Sequence, residues 1–175
     1  ILMDSPENRF ALATLLRKLK PDILLGTSGR TPAASPDHYQ AQLLIEASRF
    51  SSQLTKWDEK FGNTPPHRIT HLVYAPFPFD AEIRHFPGSF TIDISSTIEK
   101  KMASIQCYQS QFDEKRFHKI RHTVMGLNNA MGSRCGFEYG EVFQMAVPVG
   151  GSELVGIVKG SKGSPAPVQL PGQPN

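Results

Sequence analysis

Three observations predict an α/β fold with a mostly parallel sheet. Apolar residues recur at helical spacing in four segments of the chain. Short apolar or alternating runs of strand length lie between those segments. The two kinds of segment follow one another as helix, strand, helix, strand, which is the order that builds parallel strands covered by helices. In such sheets ligands bind beyond the carboxyl ends of the strands.

The first helix is marked by Ser5 as its cap, Pro6 at its first position and Glu7 at the positive end of its dipole. Leu12, Leu15, Leu16 and Leu19 then fall at i, i+3, i+4 and i+7, which predicts one apolar face. Pro21 ends the helix, and Ile23-Leu24-Leu25 reads as a buried parallel strand. A polar loop rich in Gly, Ser and Pro runs from Gly26 to Pro36. The second helix starts near Asp37 and carries Ala41, Leu44, Ile45 and Ser48 on one face. Beyond a loop at 62–66, Leu72-Val73-Tyr74-Ala75 predicts a second strand, and the alternating Phe90-Thr91-Ile92-Asp93-Ile94 a third. Ser96 and Glu99 have capping-box spacing, with Ile98, Met102 and Ile105 as the inner stripe of the helix they open. Phe117, Ile120, Val124, Leu127 and Met131 form a further helical face, and residues 137–147 read as a final strand or extended arm. From Gly150 onward Gly and Pro are dense and periodicity is lost. The expected organisation is one domain over 1–149 and a mobile tail over 150–175.

Composition narrows the function. Nineteen Lys plus Arg against 16 Asp plus Glu give +3, without a basic run, so nucleic acid is not an expected partner. No stretch approaches the roughly 20 apolar residues of a membrane span. Cys107 and Cys135 form neither a CxxC pair nor a disulfide framework, which fits a reducing, cytoplasmic compartment.

The loop after the first strand is where chemistry is expected, and it ends Ala34-Ser35-Pro36-Asp37-His38. An imidazole above a strand end can ligate a metal, and a neighbouring carboxylate can orient it or move a proton. On spacing alone, such a pair is more often a helix cap with a surface histidine.

Five segments in order resemble motifs of the LmbE/PIG-L family. Asp4-Ser5-Pro6-Glu7-Asn8-Arg9 resembles its "D-T-P-E-N-R" turn, and Ser35-Pro36-Asp37-His38 its "H-P-D-H". Phe90-Thr91-Ile92-Asp93-Ile94-Ser95 is similar to "F-V-x-D-I-S". Lys100-Lys101 through Cys107-Tyr108-Gln109-Ser110-Gln111-Phe112 is similar to "K-x-x-A-I-x-x-H-x-S-Q-F". Gly136-Phe137-Glu138-Tyr139-Gly140-Glu141-Val142-Phe143 matches "G-x-x-Y-[AG]-E-x-F".

The resemblance implies a Rossmann-like three-layer fold and a zinc-dependent hydrolase that deacetylates N-acetylglucosamine conjugates. It implies that His38 is one zinc ligand and that Asp37 steers a neighbouring imidazole or tunes the site's charge. The other ligands and the general base belong to an "A-H-P-D-D" motif that this sequence lacks, so the fold is expected to be truncated at its N-terminus and inactive as it stands. Ser35 occupies the place of a family histidine implied to stabilise the oxyanion or protonate the leaving amine. Serine donates a hydrogen bond but supplies no titrating proton near neutral pH. A non-catalytic carbohydrate-binding or scaffold role on the same fold is the alternative.

Other candidates carry less. Arg84 and His85 are read as either sugar-pocket residues or an ordinary surface loop. His118 and His122 have i, i+4 spacing but no "H-E-x-x-H" glutamate, so a solvated basic face is expected. Tyr108 and both cysteines are read as packing residues, with Ser110 and Gln111 fastening the following loop. Trp57 and Phe61 are read as packing beneath the Gly62 loop rather than as a sugar platform. Self-association across an open sheet edge is expected.

Overall fold

The computed structural model describes residues 1–30, 34–76, 88–148, 150, 152 and 154. Arg84, His85 and nearly all of the expected tail lie outside them.

Helix α1 spans Pro6–Leu19, capped as expected: Ser5 Oγ accepts from the Asn8 amide at 3.2 Å. It ends on Lys20 in the left-handed region, whose N–H donates to Leu16 O at 2.9 Å. The buried face is not the leucine stripe. Ala13, Leu16 and Arg17 are buried, whereas Leu15 and Leu19 are 49% and 67% exposed. The face is turned because the guanidinium of Arg17, invisible to a periodicity of apolar residues, takes an interior place.

Strand β1 (Ile23–Ser28) is followed by α2 (Asp37–Ser52), a 3₁₀ turn at Asp58–Phe61 and β2 (His71–Pro76). Then come β3 (Ser89–Asp93), α3 (Ile98–Gln106), α4 (Glu114–Ser133) and β4 (Gly140–Met145). The sheet order is β1-β2-β4-β3. β1 and β2 are parallel, with Gly26 opposite Tyr74. β4 runs antiparallel to β2, with Tyr74 opposite Gln144. The β3 side of β4 is tied by Met145 N to Gly88 O at one end and Ile94 N to Tyr139 O at the other, again opposite directions. The sheet is therefore mixed rather than mostly parallel. One crossover helix returns a chain to the end it left, but two helices, α3 and α4, precede β4 and reverse it once more.

The chain forms two compact units, Ile1–Phe90 with Phe143–Val147, and a second built on Thr91–Val142. In the first, Ala13, Leu16, Leu44, Phe61, Ile69 and Leu72 form the core. Full burial of one such aliphatic side chain stabilises by about 1.5–3 kcal/mol. In the second, Ile94, Ile98, Met102, Val124 and Met131 are buried. The helix α3 starts at Ile98 with Thr97 in the cap position and no side-chain cap bond, so the expected Ser96 capping box does not form. α4 is capped by Asp113, whose carboxylate accepts from the Arg116 amide at 2.8 Å. Among the described residues no helix is long and apolar enough to cross a membrane.

Candidate functional site

The sequence-predicted site stands at the start of α2. Pro36 occupies the cap position and offers no side-chain bond. Ser35 takes over: its Oγ accepts from the Asp37 amide at 3.3 Å and its carbonyl from the His38 amide at 3.1 Å. His38 is exposed in the first turn. The Asp37 carboxylate accepts from the Leu2 amide at 3.2 Å, and one turn on, Gln40 Oε1 accepts from the Asp4 amide at 2.8 Å. Asp4 in turn meets Arg9 in a two-pronged ion pair at 2.6 and 2.5 Å. That hydrogen-bonded pairing holds the Asp4 carboxyl below the usual carboxylate range. Residues 2–4, which lead into α1, and residues 37–40 in the first turn of α2, about 35 positions apart in the chain, are thus laced side by side.

Among the described residues no three His, Cys, Asp or Glu side chains gather as a metal would require. Catalytic zinc takes three protein ligands and one open position. His38 with these neighbours does not complete that set, and no reaction step through zinc follows from the described residues.

A polar ladder behind His38 was not anticipated from the sequence. Gln42 Oε1 accepts from the Gly29 amide at 3.0 Å, and Gln42 Nε2 donates to Glu46 Oε1 at 3.0 Å. The same Glu46 oxygen accepts from Tyr74 OH at 2.5 Å. Burial, and then the bond and charge of Glu46, push the Tyr74 phenol far above its ordinary value, so it remains a donor. Beside it, the buried Ser28 hydroxyl donates to Gln144 Oε1 at 3.2 Å. His38, Gln42 and Glu46 repeat every four residues, a signal present in the sequence. The partners of Gln42 and Glu46, Gly29 just beyond β1 and Tyr74 on β2, are set by tertiary pairing.

In the second unit the family-like motifs serve as wiring. The Asp93 carboxylate accepts from the Ser95 hydroxyl at 2.6 Å and the Ser95 amide at 2.9 Å, and Ser95 Oγ accepts from the Tyr139 amide at 3.1 Å. Lys101 bridges Glu141 at 2.6 Å and Asn128 at 3.2 Å. The motif glycine Gly140 lies so close to Gly132 that a Cβ on either would clash with backbone of the other.

The remaining candidates sort as follows. Tyr108 is 63% exposed and Cys107 is exposed, so neither packs in the interior; both follow the last turn of α3. Cys135 is half-buried. Around Ser110 and Gln111 the turn is closed by backbone bonds, Gln111 N to Tyr108 O at 2.9 Å among them. Phe61 is fully buried as expected, but Trp57 is 56% exposed. His118 and His122 are exposed, with ring centroids 4.7 Å apart.

No protein-family model matches the chain. It is 33% identical over 104 residues to the 4-oxalmesaconate hydratase of Pseudomonas putida, covering 58% of this chain and 38% of that protein. Its fold is similar to that of a conserved protein from Thermus thermophilus, with TM-score 0.67 and 28% identity over 85% of this chain and 62% of the other. It is equally similar to the Pyrococcus horikoshii N,N'-diacetylchitobiose deacetylase, with TM-score 0.67 and 25% identity over 81% and 52%. A 4-carboxy-2-hydroxymuconate hydratase of Pseudomonas putida, at 20% identity and TM-score 0.66, shares the fold over 86% of this chain and 62% of its own. The chain thus spans less than two thirds of each of these relatives.

Proposed function

Because the chain is LmbE/PIG-L-like by fold and by sequence similarity, we propose that it is part of a hydrolase that removes the acetyl group from an N-acetylglucosamine conjugate. The observation that carries this reading is the start of α2, where Asp37 and Gln40 accept from the Leu2 and Asp4 amides of the segment that leads into α1, next to Ser35 and His38. The likeness to a diacetylchitobiose deacetylase supports an N-acetylsugar as the substrate class. His38 is proposed as one ligand of a zinc ion whose other ligands come from outside the described residues. When bound, zinc lowers the pKa of its water to about 7 and polarises a carbonyl. Asp37, already holding the Leu2 amide, keeps the first turn of α2 in place rather than moving a proton. Ser35 offers its hydroxyl as a hydrogen-bond donor to a substrate oxygen. Both cysteines are free thiols, which supports a cytoplasmic location.

The test is acetate release from N-acetylglucosamine conjugates by the full-length protein, with and without a chelator, and with His38→Ala. Release that stops on chelation and in the His38 variant is the expected result. Release indifferent to both would overturn the assignment.

A second reading is favoured by the 33% identity to a hydratase: addition of water across a conjugated carbon–carbon double bond of a polycarboxylate. Such a reaction has no amine leaving group to protonate, which suits serine rather than histidine at position 35. Loss of the ultraviolet absorbance of an unsaturated dicarboxylate, without acetate release from any N-acetylsugar, would establish it over the first.

A further inference from the structure

We infer that Glu46 is a positioning residue that clamps the end of β1 to the face of α2 beginning at His38. This rests on the reading that the Ser35–His38 turn is the working end of the site. One Glu46 oxygen receives two donors, Tyr74 OH at 2.5 Å from β2 and Gln42 Nε2 at 3.0 Å from its own helix. With its amide nitrogen spent on Glu46, Gln42 has one orientation left. Its oxygen then faces the Gly29 amide, at 3.0 Å. Turning the amide over would set donor against donor at Gly29 and acceptor against acceptor at Glu46. Gly29, the first residue after β1, has φ +99°, a conformation that side-chain-bearing residues rarely adopt. The chain of contacts therefore runs Tyr74, Glu46, Gln42, Gly29, from β2 through α2 to the end of β1.

This arrangement is poorly explained as a source of stability. A partly buried carboxylate pays desolvation, and an apolar residue of similar size would often hold as well. What it gives is a single geometry, because each member fixes the next. His38, Gln42 and Glu46 lie on one stripe of the helix, four residues apart. Fixing Gln42 against Gly29 fixes the height and rotation of the turn that presents His38. Displacements of about 1 Å at a working group cost up to about 100-fold in rate.

The experiment uses the full-length protein. Hydrogen exchange is followed at the Gly29 amide and at the core amides of Leu44 and Leu72, alongside kcat and KM for acetate release. In Glu46→Ala, Gly29 exchange is expected to accelerate about tenfold or more while Leu44 and Leu72 keep their rates. kcat is expected to fall about tenfold at little-changed KM. Glu46→Gln, which keeps an acceptor oxygen, is expected to recover most of both effects. Tyr74→Phe, the milder change, gives the same pattern more weakly and serves where Glu46→Ala fails to fold. Unchanged Gly29 exchange, or acceleration shared equally by Leu44 and Leu72, overturns the clamp. A full-length protein that releases no acetate at all removes the deacetylase reading, and Gly29 exchange still decides the clamp.

Discussion

Arg17 is a cation with no exposed surface, and its partners explain how it is tolerated. Its guanidinium donates to three backbone carbonyls, Ser52 at 3.0 Å, Leu54 at 2.5 Å and Thr64 at 2.7 Å, and lies 3.6 Å over the Phe61 ring. The fork of donors closes the carbonyl end of α2 and the loop behind it, work that a lysine's single ammonium is not shaped for. Arg17→Met keeps the volume but takes the guanidinium donors from Leu54 O and Thr64 O, while Ser52 O keeps the His67 amide at 2.9 Å. The expected loss is about 3 kcal/mol or more, read as a lower denaturant midpoint at unchanged slope. A second residue-scale case turns on pH. The Ser95 hydroxyl, and then the Ser95 amide, hold the Asp93 carboxyl below its ordinary value, against a small opposing effect of desolvation. A carboxylate depressed in the folded state contributes its stability fully above the unfolded value of about 3.9 and loses it as pH falls through the lower folded value. Stability measured from about pH 6 downward should therefore fall less steeply below about pH 4 in Asp93→Asn than in the parent. Equal slopes would show that the Ser95 contacts do not persist in solution.

At the scale of elements, helix α4 holds two glycines with opposite expectations. A Cβ on Gly132 would lie 2.6 Å from Gly140 N and 2.7 Å from Tyr139 C, inside the distance that real Cβ atoms keep. Both obstacles are backbone, so the connection into β4 would have to move. Alanine is the better helix former by about 1 kcal/mol, but overpacking of this kind costs about 1–3 kcal/mol. Gly132→Ala is expected to destabilise on balance. Gly126 in the same helix is exposed and meets nothing within 4 Å. Gly126→Ala should stabilise by up to about 1 kcal/mol. Thermal unfolding of the two variants side by side separates the effects, and a Gly132→Ala variant as stable as the parent or more stable would refute the close approach. The elements themselves were largely legible. Ser5-Pro6 placed the start of α1, and strand-like runs located β1, β2 and β3 to within about three residues at either end. Failures came where a neighbour, not the local pattern, decides. Leu15 and Leu19 look like core until Arg17 claims the inner face. Ser96 looks like a cap until the chain turns one residue later, at Thr97. Asp37 and His38 stand out in the sequence as a candidate site; the Glu46–Tyr74 contact does not, because the two are 28 positions apart and meet only when β2 lies beside β1.

At the scale of the whole molecule, the order of helices and strands announced an α/β chain but not the direction of its last strand. That direction follows from the paired helices α3 and α4, which a count of alternating segments treats as one. The same sheet has a consequence at its other side. β1 stands last in the order, and the described residues pair it with β2 alone. Its alternate residues Ile23 and Leu25 are 61% and 57% exposed, in a strand whose Gly26 and Ser28 are buried. An edge with free backbone groups and apolar side chains is the feature that natural proteins cover, shorten or charge. Nothing charged lies within β1 to discourage pairing. The 175-residue polypeptide is therefore expected to associate with itself in a concentration-dependent way. Leu25→Lys places a charge on the exposed face without touching the register to β2, where Leu25 sits opposite Val73. Sedimentation at increasing concentration should show the parent chain growing in mass and the Leu25 variant remaining a monomer. A parent chain that stays monomeric throughout would mean that this edge is protected by something other than charge.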